Sequence, residues 1–311
     1  MTRLIGGTSI TAAWMLIAAI RVPAQNRGVY PLGMSAVNPG ITPDPGFTYS
    51  NQFLYYSRSQ AKDDAGSVVA TGENGVLMDM NTITWASEET PLWDARYSAA
   101  ASLPFAGNSL TSDIHGNLSG GAGFADSYYM PFILGWSTER TAVRVIYGFL
   151  APTGTFAAGA TNNVGSGYWT HAASSGQTFQ LVRDGVLTFS AFEMYEFHTT
   201  QEGTGVHPGQ TFDLDYSLLA SVKRTAKLQL QIGVAGYEQR QGTATTGPEI
   251  TAAAQQHRYA VNSLGFAINA VFPRRKVSLG MKYFKEFENR STFQGYSLQF
   301  LGAISFTRKT Q

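Results

Sequence analysis

The chain has 311 residues, 14% of them charged, and a formal net charge of +1, so neither nucleic acid nor an anionic surface is an expected partner. It holds no cysteine, which excludes a disulfide framework, a Cys-ligated zinc and a thiol nucleophile. The mean hydropathy of −0.11 is ordinary for a soluble protein, yet it also suits a membrane barrel, in which only alternate residues meet lipid.

The chain opens on what reads as a secretory signal over residues 1–24. Arg3 supplies the positive charge, residues 10–20 the apolar core, and Val22-Pro23-Ala24 a small-residue cleavage site. The expected mature chain begins near Gln25. A spanning helix needs roughly 20 apolar residues, more than this run offers, and no later segment reaches that length. Any further membrane crossing must therefore use strands. Residues 25–46 carry Pro31, Pro39, Pro43 and Pro45 among several glycines and read as irregular structure, either a periplasmic lead-in or a plug inside a barrel.

From residue 47 onward the pattern changes to short stretches of apolar–polar alternation separated by turn residues. The candidate strands are 47–57, 75–86, 93–103, 125–136, 142–151, 170–183, 186–198, 211–222, 226–239, 259–272, 277–287 and 294–306. That is about twelve, an even count as closed bacterial barrels require, with ten or fourteen as alternatives. In 211–222, Phe212, Leu214, Tyr216, Leu218, Ala220 and Val222 share one face; Asp213, Asp215, Ser217 and Ser221 share the other. In 277–287, Val277, Leu279, Met281 and Tyr283 oppose Ser278, Gly280, Lys282 and Glu286. Tight turns such as Arg183-Asp184-Gly185 and Pro273-Arg274-Arg275-Lys276 alternate with long polar loops at 201–210 and 241–256. Tyr55, Tyr56, Trp85, Trp93, Trp136, Trp169 and Tyr283 stand near strand ends, where interfacial girdles form. The expected fold is all-β, a transmembrane antiparallel up-and-down barrel over residues 47–311 in the bacterial outer membrane. Its expected partners are outer-membrane lipid and the barrel assembly machinery. A soluble β-sandwich is the alternative fold.

Candidate chemistry is sparse. Gly120-Gly121-Ala122-Gly123 lacks the Gly-Lys-Ser/Thr of a phosphate loop and reads as a turn. His115, His171, His198, His207 and His257 show no metal spacing, and Asp113-x-His115 offers too few ligands. His171 and Ser175 share a face but stand about 13–14 Å apart on an ideal strand, too far for a nucleophile and its base. No catalytic residue, metal or cofactor is expected. Glu193, Glu196, His198 and Glu202 form a polar strand end, in which Glu196 and His198 share a face. The inward candidates are Arg96, Arg144, Asp213, Asp215, Gln229, Gln231, Lys282 and Glu286, with Lys227 beside them. These groups either pair with one another to fill a narrow lumen or sort permeants by charge.

Several short motifs, in order, resemble one family of outer-membrane barrels, named for the meta-cleavage pathway of phenol degradation. They are Pro45-Gly46-Phe47, then Ala151-Pro152-Thr153-Gly154-Thr155-Phe156 with Asn163-Val164-Gly165, and Gly167-Tyr168-Trp169-Thr170. After them come Gly233-Val234-Ala235-Gly236-Tyr237-Glu238-Gln239 and Lys282-Tyr283-Phe284-Lys285-Glu286-Phe287 with Asn289-Arg290 and Gly295. The chain departs from the family at Ala125, where a glycine is usual, and at its polar tail after Phe306. The resemblance implies a passive channel for small hydrophobic or aromatic compounds, with no family-wide binding residues. The alternative function is a non-conducting barrel with a structural or surface-binding role.

Overall fold

The computed structural model describes residues 27–90, 92–112, 116–182 and 185–306. The signal segment, Asp113 and His115, Arg183-Asp184 and the tail after Phe306 lie outside the described residues. The strands are β1 (Gly46–Lys62), β2 (Val68–Ala86), β3 (Arg96–Ser112), β4 (Gly116–Phe124), β5 (Ser127–Ser137), β6 (Thr141–Ala151) and β7 (Thr170–Gln180). They continue with β8 (Leu187–His198), β9 (Thr211–Arg224), β10 (Gln229–Gln241), β11 (Ala260–Phe272), β12 (Val277–Glu286) and β13 (Phe293–Phe306).

All pairings are antiparallel, and β1 pairs with both β2 and β13, which closes the sheet on itself. β4 and β5 both pair with β3, β4 along its residues 105–112 and β5 along 96–102. The two therefore share one place in the wall, interrupted at Ala125-Asp126, and the barrel has 12 strand positions. Closure leaves no sheet edge to hydrogen-bond with lipid, the condition for spanning by strands.

Several boundaries depart from the sequence expectation: β1 runs on to Lys62, β2 starts at Val68, β3 runs on to Ser112 and β7 stops at Gln180, and three further departures have a visible local cause. β4 falls where a Gly-rich turn was expected: it lacks alternating side chains, but its backbone is held by β3. β3 begins at Arg96 and not at residue 93, because Trp93 and Asp94 take left-handed conformations (φ 51° and 59°) that end pairing. β10 begins at Gln229, so Lys227 is an exposed residue of the β9–β10 turn and not an inward charge.

Connections at 138–140, 225–228 and 273–276 are short and lie where β1 begins and β13 ends. Those at 152–169, 199–210 and 242–259 are long and lie at the opposite end. Short turns face the periplasm in barrels of this kind, which names the two ends.

Parity sets the two faces. Phe212 and Leu218 of β9, Ile232 and Val234 of β10, Leu279 of β12 and Phe300 and Ile304 of β13 are each 36–52% exposed. Their neighbours Asp213, Asp215, Leu219, Ala235 and Phe284 are fully buried. Such an apolar exterior belongs in hydrocarbon. Tyr55, Tyr296 and Tyr283 form part of an outer aromatic girdle, with successive ring centroids 6.1 Å apart. Trp85 and Tyr97 stack edge to face toward the periplasmic end. Tyr56 is not in the girdle. It follows Tyr55 directly, so it faces the lumen, where its hydroxyl donates to Glu286 at 2.7 Å.

Register is testable on β6, where Arg144 points inward and Val145 outward. Val145→Arg will place a guanidinium in the lipid and destabilise the barrel by about 2–4 kcal/mol. Equilibrium refolding into lipid vesicles against urea measures the loss; a change within error would mean that β6 is shifted by one residue.

Candidate functional site: the lumen and the segment inside it

The walls of the barrel do not fill its interior. Inward positions on β8 to β11 include Thr188, Ser190, Ser217, Ala235, Ser263 and Ala267, all small, and all are buried even so. What covers them is the segment before β1. Residues 27–45 run through the lumen from its outer end, beside Glu286, to its periplasmic end, beside Arg96.

Its stretch is rich in proline and glycine, and it makes few backbone hydrogen bonds of its own. Its polar backbone must therefore bond to the wall, since buried N–H and C=O groups are costly unpaired. At the outer end Arg27 donates to both oxygens of Glu286 (2.8 and 3.2 Å), to Thr292 Oγ1 and to the Phe293 carbonyl. Burial works to lower the affinity of the Arg27 guanidinium for its proton, but Glu286, together with Tyr56 and Tyr237, holds the pKa above its ordinary value. Below this, the Gly28 N–H donates to Tyr259 Oη at 2.7 Å. The N–H groups of Val29 and Tyr30 donate to the Glu196 carboxylate at 3.1 and 2.7 Å. Thr211 Oγ1 donates to the same carboxylate, and His198 Nε2 stands 3.4 Å from it.

The middle of the lumen centres on Asp215 and Lys282. Asp215 accepts from Tyr30 Oη (2.6 Å), Gly33 N (2.8 Å) and Ser35 N (3.0 Å). Burial, reinforced by the Asp215 carboxylate, pushes the Tyr30 hydroxyl well above its ordinary pKa, so it stays a donor. Lys282 Nζ donates to the carbonyls of Gly33 (2.6 Å) and Met34 (2.7 Å). Gln299 donates to the Leu32 carbonyl and Ser217 to that of Ala36. Apolar packing joins in: Leu32 and Val37 sit against Leu219, Ala235, Tyr237 and Phe284, and the Tyr30 ring lies 5.5 Å from that of Phe192.

Toward the periplasm Asn38 donates to Gln231 (3.1 Å), Gly40 N to Thr178 Oγ1 (3.1 Å) and Arg144 Nε to the Pro39 carbonyl (2.5 Å). Arg96 reaches the Pro43 carbonyl at 3.4 Å. The close approach is made at Gly176, where an added Cβ would sit 2.6 Å from the Pro39 carbonyl oxygen. Any larger residue there would push the segment off the wall.

Six of the eight residues expected in the lumen thus bond to the segment: Arg96, Arg144, Asp215, Gln231, Lys282 and Glu286. Asp213 instead accepts from Gln239 at 2.6 Å, and Gln229 is exposed at the periplasmic end of β10. Among the described residues, the salt bridge that this set makes is that of Glu286 with Arg27 of the segment. The pairing of wall charges with one another that the sequence suggested is replaced by pairing with backbone amides and carbonyls. Glu196 was expected only as part of a polar strand end, on one face with His198, and Gln299 was not among the inward candidates; the inward parity of both is the available signal. Glu193, beside them in sequence, faces outward and accepts from Ser175 (2.8 Å) and Gln177 (2.9 Å). His171 also faces outward, its Nδ1 2.9 Å from Tyr147 Oη, so it makes no pair with a serine.

The sequence profile described as "Putative MetA-pathway of phenol degradation" matches residues 57–301. The chain belongs to that family. Among curated proteins, none matches this sequence. Of the solved structures, the COG4313 outer membrane channel from Pseudomonas putida F1 is similar at 13% identity. The match covers 86% of this chain and 97% of that one, with a TM-score of 0.70. The β-domain of the Bordetella autotransporter BrkA is similar at 11% identity, over 85% and 100% of the two chains, with a TM-score of 0.51. These likenesses are of fold: a closed outer-membrane barrel.

Proposed function

We propose that this barrel is an outer-membrane channel for small hydrophobic or aromatic compounds, with residues 27–45 as its plug. The observation that carries the reading is that the lumen is occupied by a segment held through side chain–backbone hydrogen bonds, while many of the inward wall residues beside it, among them Ser190, Ser217, Ala235, Ser263 and Ala267, are small. A barrel serving only as a structural unit would be stable with large wall side chains filling its core, as narrow barrels are. Small wall residues around a separable insert leave a passage whenever the insert shifts. The P. putida protein of the same fold is described as a channel, which agrees with this reading.

Transport is passive: the barrel offers a path across a hydrated polysaccharide layer that apolar compounds cross poorly, and binding along it must stay weak enough for release. The barrel assembly machinery would insert the chain after removal of its signal. The test is flux of naphthalene into vesicles whose outer leaflet is lipopolysaccharide and which carry the purified protein, with an aromatic-binding fluorophore inside. Proteoliposomes loaded faster than protein-free ones support the channel. Equal rates would sink it and favour a structural or surface role.

A further inference from the structure

The plug does not use the whole circumference of the lumen. Hydrogen bonds from residues 28–45 reach β3, β6 to β10, β12 and β13; among the described residues none reaches β1 or β2. Burial shows the same asymmetry. On β8 and β9 the inward residues Phe192, Met194, Glu196, Asp213, Asp215 and Leu219 are at most 3% exposed. On β2 the inward residues Val76, Met78, Met80, Thr82 and Thr84 all keep part of their surface open.

Their direction is settled by pairing. Met78 stands opposite Leu54 and Met80 opposite Gln52, and across β3 they face Ala106 and Pro104. Leu54 is 7% exposed, and Thr82 Oγ1 donates to the buried Ser102 hydroxyl at 2.9 Å, which fixes this parity as the lumenal one. The opposite parity, Leu77, Ile83 and Trp85, is 39–57% exposed on the lipid side. Open surface on Met78 and Met80 is therefore free space inside the barrel, between plug and wall.

We propose that this strip along β1 and β2 binds and conducts the permeant, and that it takes an uncharged, mostly apolar molecule with an aromatic ring. The proposal rests on the channel reading and names its path. Leu54, Val76, Met78, Met80 and Ala106 make the middle of the strip mostly apolar, with Gln52 beside Met80 as an uncharged amide. Methionine is unbranched and polarisable, so it follows ligands of different outline and makes favourable sulfur–ring contacts. That suits a site that must hold briefly and let go. Toward the periplasm the same wall turns to hydroxyls, Thr48, Ser50, Thr82, Thr84 and Ser102, where water can replace the apolar contacts. The strip's outer end is roofed by Tyr56, whose ring lies under the guanidiniums of Arg27 (5.1 Å) and Arg58 (5.5 Å). The charged groups Arg96, Arg144, Glu196, Asp215, Lys282 and Glu286 then serve the plug and not the permeant.

The absence of native cysteine makes the path readable by labelling. In proteoliposomes, Met80→Cys will react with N-phenylmaleimide, and naphthalene at about four times its Kd will slow the reaction about fivefold by mass action. Leu77→Cys, one strand face away, will show no protection. Met80→Glu will lower naphthalene flux about tenfold, equal to a binding loss of about 1.4 kcal/mol, while the protein still runs as a compact barrel before boiling. Reaction at Met80→Cys that naphthalene does not slow would overturn the path, as would unchanged flux through Met80→Glu in a protein whose wild type conducts. Lack of wild-type flux would instead count against the channel reading, leaving the protection experiment to decide the site.

Discussion

A protein lacking residues 27–45 will pass ions through a planar bilayer with a conductance about tenfold above that of the intact chain, because a barrel of this strand number has a narrow lumen that a chain segment largely closes. The barrel will survive the deletion. Its wall is closed by backbone pairing from β1 to β13 that does not involve the segment. The carboxylates of Glu196, Asp215 and Glu286 and the ammonium of Lys282 lose their partners in the segment, but they gain water, which replaces a lost hydrogen bond at modest net cost, and Glu196 and Glu286 keep their wall donors Thr211 and Tyr56. Four inward carboxylates (Glu196, Asp213, Asp215, Glu286) then face four inward cations (Arg58, Arg96, Arg144, Lys282) among the described residues, so the open lumen will discriminate only weakly between cations and anions. Single-channel recording with a salt gradient measures both. Unchanged conductance in a barrel that still shifts on a gel with boiling would mean that the outer loops, and not residues 27–45, close the pore.

Asp215→Ala will loosen the plug without removing it. One carboxylate there holds the Tyr30 hydroxyl and the N–H groups of Gly33 and Ser35. Hydrogen bonds to a charged group are worth about 1.5–3 kcal/mol each, and the freed donors regain water only by leaving the wall. A net loss of about 3 kcal/mol raises the fraction of open plug roughly a hundredfold. The expected record is brief, repeated openings to the level of the deletion protein. Asp213→Asn is the control. It stands two residues away on the same face and bonds to Gln239, not to the plug, so its record should match the wild type. If both variants flicker alike, general loosening of β9 and not loss of the plug contact is the cause.

The barrel was legible because its cause is local. A strand with lipid on one side and a lumen on the other alternates with period two, and β6, β9, β12 and β13 carry that alternation in adjacent residues. Where the pattern is weak, legibility failed. β4, with four glycines and a polar half, shows no face of its own and exists because β3 extends past β5. Tyr56 departs from the girdle expected of an aromatic near a strand end because parity governs: Tyr55 and Tyr56 are adjacent and cannot both face lipid.

The inward residues were legible as a set, but their partners were not. Parity alone puts Asp215, Lys282 and Glu286 on the lumenal side, and elementary electrostatics suggests that opposite charges there find each other. They bond instead to Tyr30, Gly33, Met34 and Arg27, between 182 and 259 positions away in the chain. By itself, then, the sequence determined the strands, their two faces and the membrane they suit, because those follow from neighbours one and two residues apart. Only the closed tertiary structure decided that residues 27–45 lie in the lumen, and which part of the wall they leave open. A proline- and glycine-rich segment carries no side-chain pattern that names its partner, and its backbone groups bond wherever the finished barrel presents donors and acceptors.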